Sequence, residues 1–171
     1  VVTGVQTCAL PISASGPGHR QRRRLDPRRV SLCGVAGWRG VGVVRVLIRA
    51  DASHAIGSGH IARCLTLAKV LRDGGHDVAF ACRLLPGHLL DHLATQGWRA
   101  YRLPATYAEQ AKAGQDIEAA LPWQADIAAL QRLLSLEETF DWIIVDHYGL
   151  DHHWQTEARQ WAPRIAAIDD L

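Results

Sequence analysis

The residues best suited to chemistry in this 171-residue chain lie in one glycine-containing segment, residues 49–64. The segment follows an apolar run and leads into a helix-like run, which indicates a strand, a loop and a helix. Gly57 and Gly59 allow the backbone to approach a ligand closely, and His60 falls in or near the first turn of the helix. Free N–H groups and the helix dipole at that end favour an anionic ligand and a neutral imidazole. The pattern predicts chemistry on a phosphorylated or nucleotide-linked substrate, although glycine loops at helix starts are often only structural.

Further polar side chains are expected beside His60. Arg63 lies three residues later on the same helix face, where it suits a carboxylate or phosphate, or else an ion pair with an acid such as Asp51. Asp146 and Tyr148 follow another apolar run and should reach the same edge of a parallel sheet. Asp146 suits a histidine or a sugar hydroxyl, or else caps the following turn. Tyr148 suits stacking on a sugar or nucleotide.

The glycine segment also fits a dinucleotide-binding pattern, G-x-G-x-x-A, from Gly57 to Ala62. Two features disfavour that interpretation. The loop after Ala50 is longer than the tight first turn of that motif, and the second strand ends without an acid for a ribose. Arg83 at that strand end leaves an enzyme that uses NADP as an open alternative. A P-loop is excluded because G-x-x-x-x-G-K-[ST] does not occur.

No metal and no other cofactor is predicted. His147, His152 and His153 have no cysteine or acid at metal-ligand spacing, and side chains of adjacent histidines point apart. The four cysteines form no C-x-x-C pair. Cys64 and Cys82 are expected to be buried free thiols, which fits a reducing cytoplasm, and no apolar run reaches transmembrane length.

Strands that alternate with helices predict an α/β domain with a mostly parallel, Rossmann-like sheet. The predicted strands cover residues 45–50, 77–82, 98–103, 142–145 and 164–168. The predicted helices cover residues 60–73, 88–96 and 123–136, and a fourth runs to residue 161 behind Asp151 as its N-cap. Residues 104–122 are expected to form a loop with a helical turn.

Charge separates the first quarter of the chain from the rest. Residues 1–44 carry seven arginines and one acid, whereas residues 45–171 carry 12 basic and 16 acidic residues. We interpret residues 1–44 as non-native or disordered: residues 1–12 resemble a translated sequencing adapter, and residues 13–44 fit upstream DNA read in frame. A basic arm for nucleic acid is the alternative. The acidic remainder predicts neither a nucleic-acid nor a membrane partner.

Several motifs together resemble one family. They are Arg49-x-Asp51-x-Ser53-x-x-Ile56-Gly-x-Gly-His60-Ile-x-Arg63-Cys64, Leu121-Pro-Trp-Gln124, Ile144-Val-Asp-His-Tyr-Gly149 and Ile168-Asp-Asp170. Their order and spacing over residues 45–171 closely resemble the UDP-2,4-diacetamido-2,4,6-trideoxy-β-L-altropyranose hydrolases of pseudaminic acid biosynthesis, relatives of the MurG-like glycosyltransferases. The resemblance implies the amino-terminal half of a two-domain GT-B fold. The carboxy-terminal UDP-binding domain would then be a missing intramolecular partner.

The resemblance also implies a function and a site. Family members release UDP from a sugar without a metal, by attack of water on the anomeric carbon. His60 maps to the catalytic histidine, and Tyr148 maps to a residue of the sugar pocket. The expected substrate-binding residues are Gly57, Gly59, Ile61, Arg63, Asp51, Asp146 and Tyr148. A glycosyltransferase of the same fold and a non-catalytic binding domain are the alternatives, and this half alone is expected to be inactive.

Overall fold

A computed structural model describes residues 42–105, 118, 120–135 and 138–168, all within one compact unit, Gly40–Leu171. Five strands form the sheet: β1 Arg45–Ala50, β2 Asp77–Arg83, β3 Arg99–Leu103, β4 Trp142–Asp146 and β5 Arg164–Ala167. Four helices connect them: α1 Gly59–Asp73, α2 Leu90–Thr95, α3 Trp123–Leu133 and α4 His152–Ala158. The predictions for residues 1–41, for most of the loop after β3 and for Asp169-Asp170 concern residues outside these ranges.

All strand pairs in the sheet are parallel, in the order β3-β2-β1-β4-β5. The chain is therefore α/β with a Rossmann-like sheet, as predicted. The order reverses between β1 and β4, because the chain first moves outward to β3 and then returns to the other side of β1. At such a switch point the loops at the carboxyl ends diverge and leave a crevice for ligands. The loops after β1 and β4 border that crevice.

The sheet is buried because its central strands are apolar on both faces, which is typical of parallel sheets covered by helices. Leu47 of β1 and alternate residues of β2 and β4 belong to one large core cluster, to which α3 and α4 contribute Leu130 and Trp154. The helix α1 lies against β1 and β2, and its buried side includes Cys64 and Ala68. Within the described residues, no helix is long and apolar enough to cross a membrane.

Most predicted boundaries agree with the structure to within a residue or two, and the differences have local causes. The helix α2 begins at Leu90 rather than residue 88, because residues 86–89 form a turn that has Gly87 at φ +84°. The helix α4 ends at Ala158 rather than residue 161, because the next three N–H groups bond to carbonyls three residues back. The helix α3 ends at Leu133 rather than residue 136, because the backbone becomes extended at Leu134.

Candidate active site

The glycine segment has one well-defined shape. The Ser53 hydroxyl accepts hydrogen bonds from the N–H groups of Ala55 and Ile56, at 3.2 and 2.9 Å. The Ser53 carbonyl accepts from Gly57 N–H at 2.8 Å, and Gly57 has φ +84°, a conformation that glycine adopts without strain. These bonds close the loop on itself and determine where α1 begins.

A second glycine holds this loop against a neighbouring turn. His54 N–H donates to the Pro86 carbonyl at 2.9 Å. A Cβ on Gly87 would lie 2.7 Å from the His54 ring, so a larger residue there would force that ring to move. Glycine at this position therefore avoids both that clash and a strained backbone, since its φ is +84°.

His60 is the second residue of α1, and 8% of its surface is exposed. This confirms its predicted place in the first turn, at the carboxyl edge of the sheet. The ring of Tyr148 meets its ring edge to face, with centroids 5.0 Å apart. Tyr148 itself is 54% exposed, so it presents aromatic surface to solvent directly beside the histidine.

The start of α1 suits a negative charge. Its N-cap residue, Ser58, makes no side-chain capping bond, and its first turn contains no acidic residue. Neither a side-chain cap nor an acidic residue of the first turn therefore offsets the positive end of the helix dipole. Gly57 and Gly59 are exposed at this end, while Ile61 is buried in the core.

Asp146 ends β4 next to Ala50 of β1 and is fully buried. Arg63 donates to both of its carboxylate oxygens, at 2.6 and 2.5 Å, and the Cys64 thiol lies 3.4 Å away. Of the two uses predicted for Arg63, the structure shows an ion pair with an acid, but the acid is Asp146 and not Asp51. The sheet register explains the choice, because it brings the end of β4 under the first turns of α1.

Asp51 lies beneath the site rather than at its surface. Both of its oxygens accept from Arg49 at 2.8 Å, and one accepts from the Arg83 N–H at 2.7 Å. Burial alone would raise the pKa of Asp51, but the attraction of Arg49 prevails and lowers it. The same opposition acts on Arg49, where desolvation would lower the pKa and its acidic neighbours raise it. Both groups therefore stay ionised.

These residues belong to a larger set that we call the buried charge cluster: Arg49, Asp51, Arg83 and Asp126. Asp126 of α3 accepts from Arg49 and from Arg83, with shortest distances of 2.8 and 2.7 Å. None of the four side chains is more than 2% exposed. Sequence reasoning missed this cluster, although a charged residue inside an apolar strand or on the buried face of a helix is the signal that indicates such pairing.

Arg83 consequently points inward. Its guanidinium donates to Asp126 at 2.7 Å and to the Pro104 carbonyl at 2.5 Å. The dinucleotide alternative needed this side chain at the ligand for a 2′-phosphate. Its place in the core removes the support for that alternative.

His147 connects Asp51 to the site. Its Nδ1 accepts from the Gly149 N–H at 3.0 Å, so the proton of a neutral ring lies on Nε2. Nε2 is 3.4 Å from Asp51 and 3.8 Å from Glu118. Burial, the largest effect, lowers the pKa of His147, although Asp51 opposes that shift.

Glu118 is a site residue that sequence reasoning missed. It is 4% exposed, and its Oε1 lies 3.3 Å from Nδ1 of His60. A Cβ on Gly149 would collide with the Glu118 carbonyl oxygen, so the two backbones are in close contact. No local pattern marks Glu118, because it follows an irregular polar stretch in which one acid looks like any other.

One group of possible metal ligands occurs among the described residues, and it contains none of the site residues named above. Asp151, His152 and His153 have ligand atoms within 4.8 Å of one another and are all exposed. Asp151 accepts from the N–H groups of His153 and Trp154, which confirms its predicted role as the N-cap of α4. The group corrects two expectations: the rings of His152 and His153 lie 3.9 Å apart instead of pointing away from each other, and the acid Asp151 lies beside them. His147 is not a member of the group.

The fold and the site together define a Rossmann-like α/β domain with a histidine, a tyrosine and buried carboxylates at the switch point. No protein-family model matches the chain. The chain is 33% identical over 109 residues to a UDP-2,4-diacetamido-2,4,6-trideoxy-beta-L-altropyranose hydrolase of Campylobacter jejuni. The match covers 63% of this chain and spans 29% of that relative's length, which supports a distant relationship.

Proposed function

We propose that this chain is the catalytic amino-terminal half of a two-domain GT-B hydrolase that releases UDP from a UDP-linked 2,4-diacetamido-2,4,6-trideoxy sugar. The observation that carries the proposal is His60 at the uncapped start of α1, against the exposed Tyr148 and above buried carboxylates. The similarity to a UDP-sugar hydrolase supports the class of substrate. A carboxy-terminal domain would supply the remaining contacts to UDP.

In the proposed reaction, His60 acts as general base toward water. It takes one proton from the water, whose oxygen forms a bond to the anomeric carbon of the sugar. The bond from that carbon to the UDP oxygen breaks, and UDP leaves with the electron pair. The N–H groups and dipole at the start of α1 stabilise the diphosphate charge as the bond breaks. UDP is a good leaving group, so this chemistry does not require a metal.

The other predicted site residues fall into two groups, those exposed enough to touch substrate and those that are buried. Gly57, Gly59, Tyr148 and the partly exposed Arg63 are placed to touch substrate. Asp146 orients Arg63 from below. The two remaining predicted residues, Asp51 and Ile61, are buried and support the loop and the helix instead of touching substrate.

The test is UDP release from the UDP-diacetamido-trideoxy sugar, measured with and without a chelator. Both the 171-residue chain and the product of the complete reading frame that contains it are assayed. Release that survives the chelator supports the hydrolase. The 171-residue chain alone is expected to be inactive, so the product of the complete reading frame decides the test. Release from that product only when an acceptor is added identifies a transferase, and no release from it when it is folded, with or without an acceptor, rejects the proposal.

His60→Asn tests the role of the histidine. Loss of a general base lowers the rate by about 10²–10⁴-fold, while the far-UV circular dichroism stays that of the parent protein. His92→Asn is the matched control, because His92 is exposed on α2. A His60→Asn protein with a rate close to that of the parent would refute the assignment.

A further inference from the structure

We propose that Glu118 is the positioning residue of His60. Its carboxylate holds the imidazole proton on Nδ1, so that Nε2 keeps the lone pair that accepts a proton from water. This inference rests on the proposed function of His60 as general base. It adds a residue that neither the motifs nor the comparison pointed to.

Two carboxylates lie near Nδ1 of His60, and the shorter distance favours Glu118. Glu118 Oε1 is 3.3 Å from Nδ1, whereas Asp146 Oδ1 is 3.9 Å from it. Asp146 is also bound at both oxygens by the Arg63 guanidinium at 2.5–2.6 Å. A carboxylate that faces two such charge-assisted bonds is a weaker acceptor for a third, more distant donor.

The contact between Glu118 and His60 is longer than a strong charge-assisted bond, which is about 2.7–2.9 Å. Nδ1 of His60 makes no aligned hydrogen bond within the part of the chain that the structure describes. Catalytic hydrogen bonds are often long or poorly aligned without substrate and tighten in the complex. A movement of about half an ångström would therefore complete the hydrogen bond from His60 Nδ1 to Glu118 Oε1.

The contacts of His60 and of its neighbours agree with this arrangement. Glu118 and Asp146 face Nδ1, Arg63 neutralises Asp146, and Tyr148 offers its ring. When His60 accepts a proton from water, the imidazolium forms beside Glu118. A buried carboxylate on the far ring nitrogen fixes the tautomer and stabilises the imidazolium, as in catalytic triads.

Gly149 is what lets Glu118 approach. Any side chain at residue 149 would collide with the Glu118 carbonyl oxygen and would lie 3.2 Å from the His147 ring. The backbone of Glu118 therefore packs directly on the turn after β4. This close approach gives a physical reason for glycine at the end of the Asp146-His-Tyr-Gly149 segment.

The first experiment reads the tautomer and needs no turnover. The 171-residue chain is labelled with 15N at histidine, and His60→Asn identifies the His60 signals among nine histidines. We expect neutral His60 to carry its proton on Nδ1 in the parent protein, and Glu118→Gln to give a mixture of tautomers. Glu157→Gln, at an exposed acid on α4, should leave the signals unchanged.

A parent protein with the His60 proton on Nε2 overturns the proposal, whether or not any variant folds. So do His60 signals that are unchanged in a folded Glu118→Gln protein. Gly149→Ala provides a second perturbation, because it displaces the Glu118 backbone but does not change the Glu118 side chain itself. We expect it to disturb the His60 tautomer in the same direction.

The second experiment reads turnover in the product of the complete reading frame. We expect Glu118→Gln to lower kcat about 10²-fold with little change in KM, less than the roughly 10⁴-fold cost in a serine-protease triad. The smaller effect is expected because the contact between Glu118 and His60, at 3.3 Å, is longer than a strong charge-assisted bond. An unchanged kcat refutes the catalytic part of the proposal. If the parent protein releases no UDP, the proposed function fails, whereas the tautomer result still decides the contact between Glu118 and His60.

Discussion

Neutralising Asp126 should destabilise the domain strongly, although the residue lies on a helix and not in the site. Its carboxylate accepts from Arg49 at 2.8 Å and from Arg83 at 2.7 Å, and all three side chains are buried. Asp126→Asn keeps the shape of the side chain and removes one negative charge. The buried charge cluster then holds two arginines and one carboxylate, so one positive charge lacks its counter-charge.

The magnitude follows from that uncompensated charge. Removing one partner of a buried ion pair costs about 3–5 kcal/mol of unfolding free energy. That is a large share of the roughly 5–15 kcal/mol by which a domain is stable. For a domain of this size, where 1 kcal/mol corresponds to about 3 °C, the melting temperature should fall by roughly 10–15 °C.

The assay is urea and thermal unfolding of the 171-residue chain, followed by far-UV circular dichroism. Asp91→Asn is the matched control, because Asp91 also pairs with an arginine, Arg102, but both side chains are at least half exposed. An exposed pair contributes at most about 1 kcal/mol, so the control should remain close to the parent protein. An Asp126→Asn protein as stable as the Asp91→Asn control would refute the reasoning that the two buried arginines need both carboxylates as counter-charges.

Three other outcomes follow from the same structure. Burial alone would raise the pKa of the two aspartates in the buried charge cluster, but the arginines lower it, so their contribution to the unfolding free energy should be lost once the pH drops below about 4. The unfolding free energy should already decrease below about pH 6.5, because burial lowers the pKa of His147 and the unfolded chain binds that proton first. Urea unfolding at pH 7, 5 and 3 measures both effects. Burial raises the pKa of the Cys64 and Cys82 thiols, so iodoacetamide at pH 8 should leave both unmodified in the native protein and label both in urea. Peptide mass spectrometry measures the labelling, and labelled thiols in the native protein would contradict their burial. Gly149→Ala should slow UDP release and lower the melting temperature, because the new methyl group meets the Glu118 carbonyl, whereas Gly42→Ala, in open space, should change neither.

Much of the fold could be predicted because its signals are local. The short apolar runs that became β1 and β4 are bounded by polar residues, and Asp151 precedes a helix as an N-cap should. Alternation of strands and helices then predicts a parallel sheet, which the structure confirms. The ends of α2, α3 and α4 were less predictable, since they depend on turns whose hydrogen bonds compete with one more helical turn.

The candidate site could be predicted only in part. The placement of His60 at a helix start and of Tyr148 beside it followed from the loop pattern and from the common edge of parallel strands. The partner of Arg63 did not, because Asp146 is 83 residues away and an acid nearer in sequence looked equally suitable. Glu118 lies in a stretch without periodicity and could be found only by its distance to the histidine.

The amino-acid sequence by itself determined the order and type of the elements, the α/β class, and the loop that carries His60. Those properties depend on residues close together in the chain, through apolar periodicity, capping and glycine conformation. Only the tertiary structure decided how the charges pair: Asp51 with Arg49, Asp146 with Arg63, and Glu118 with His60. The acids are chemically alike in the sequence, and what distinguishes them is the sheet register and the close backbone contacts that set each distance. Electrostatic partnership depends on separation in space and on burial, so the pairings emerge only when the chain is folded.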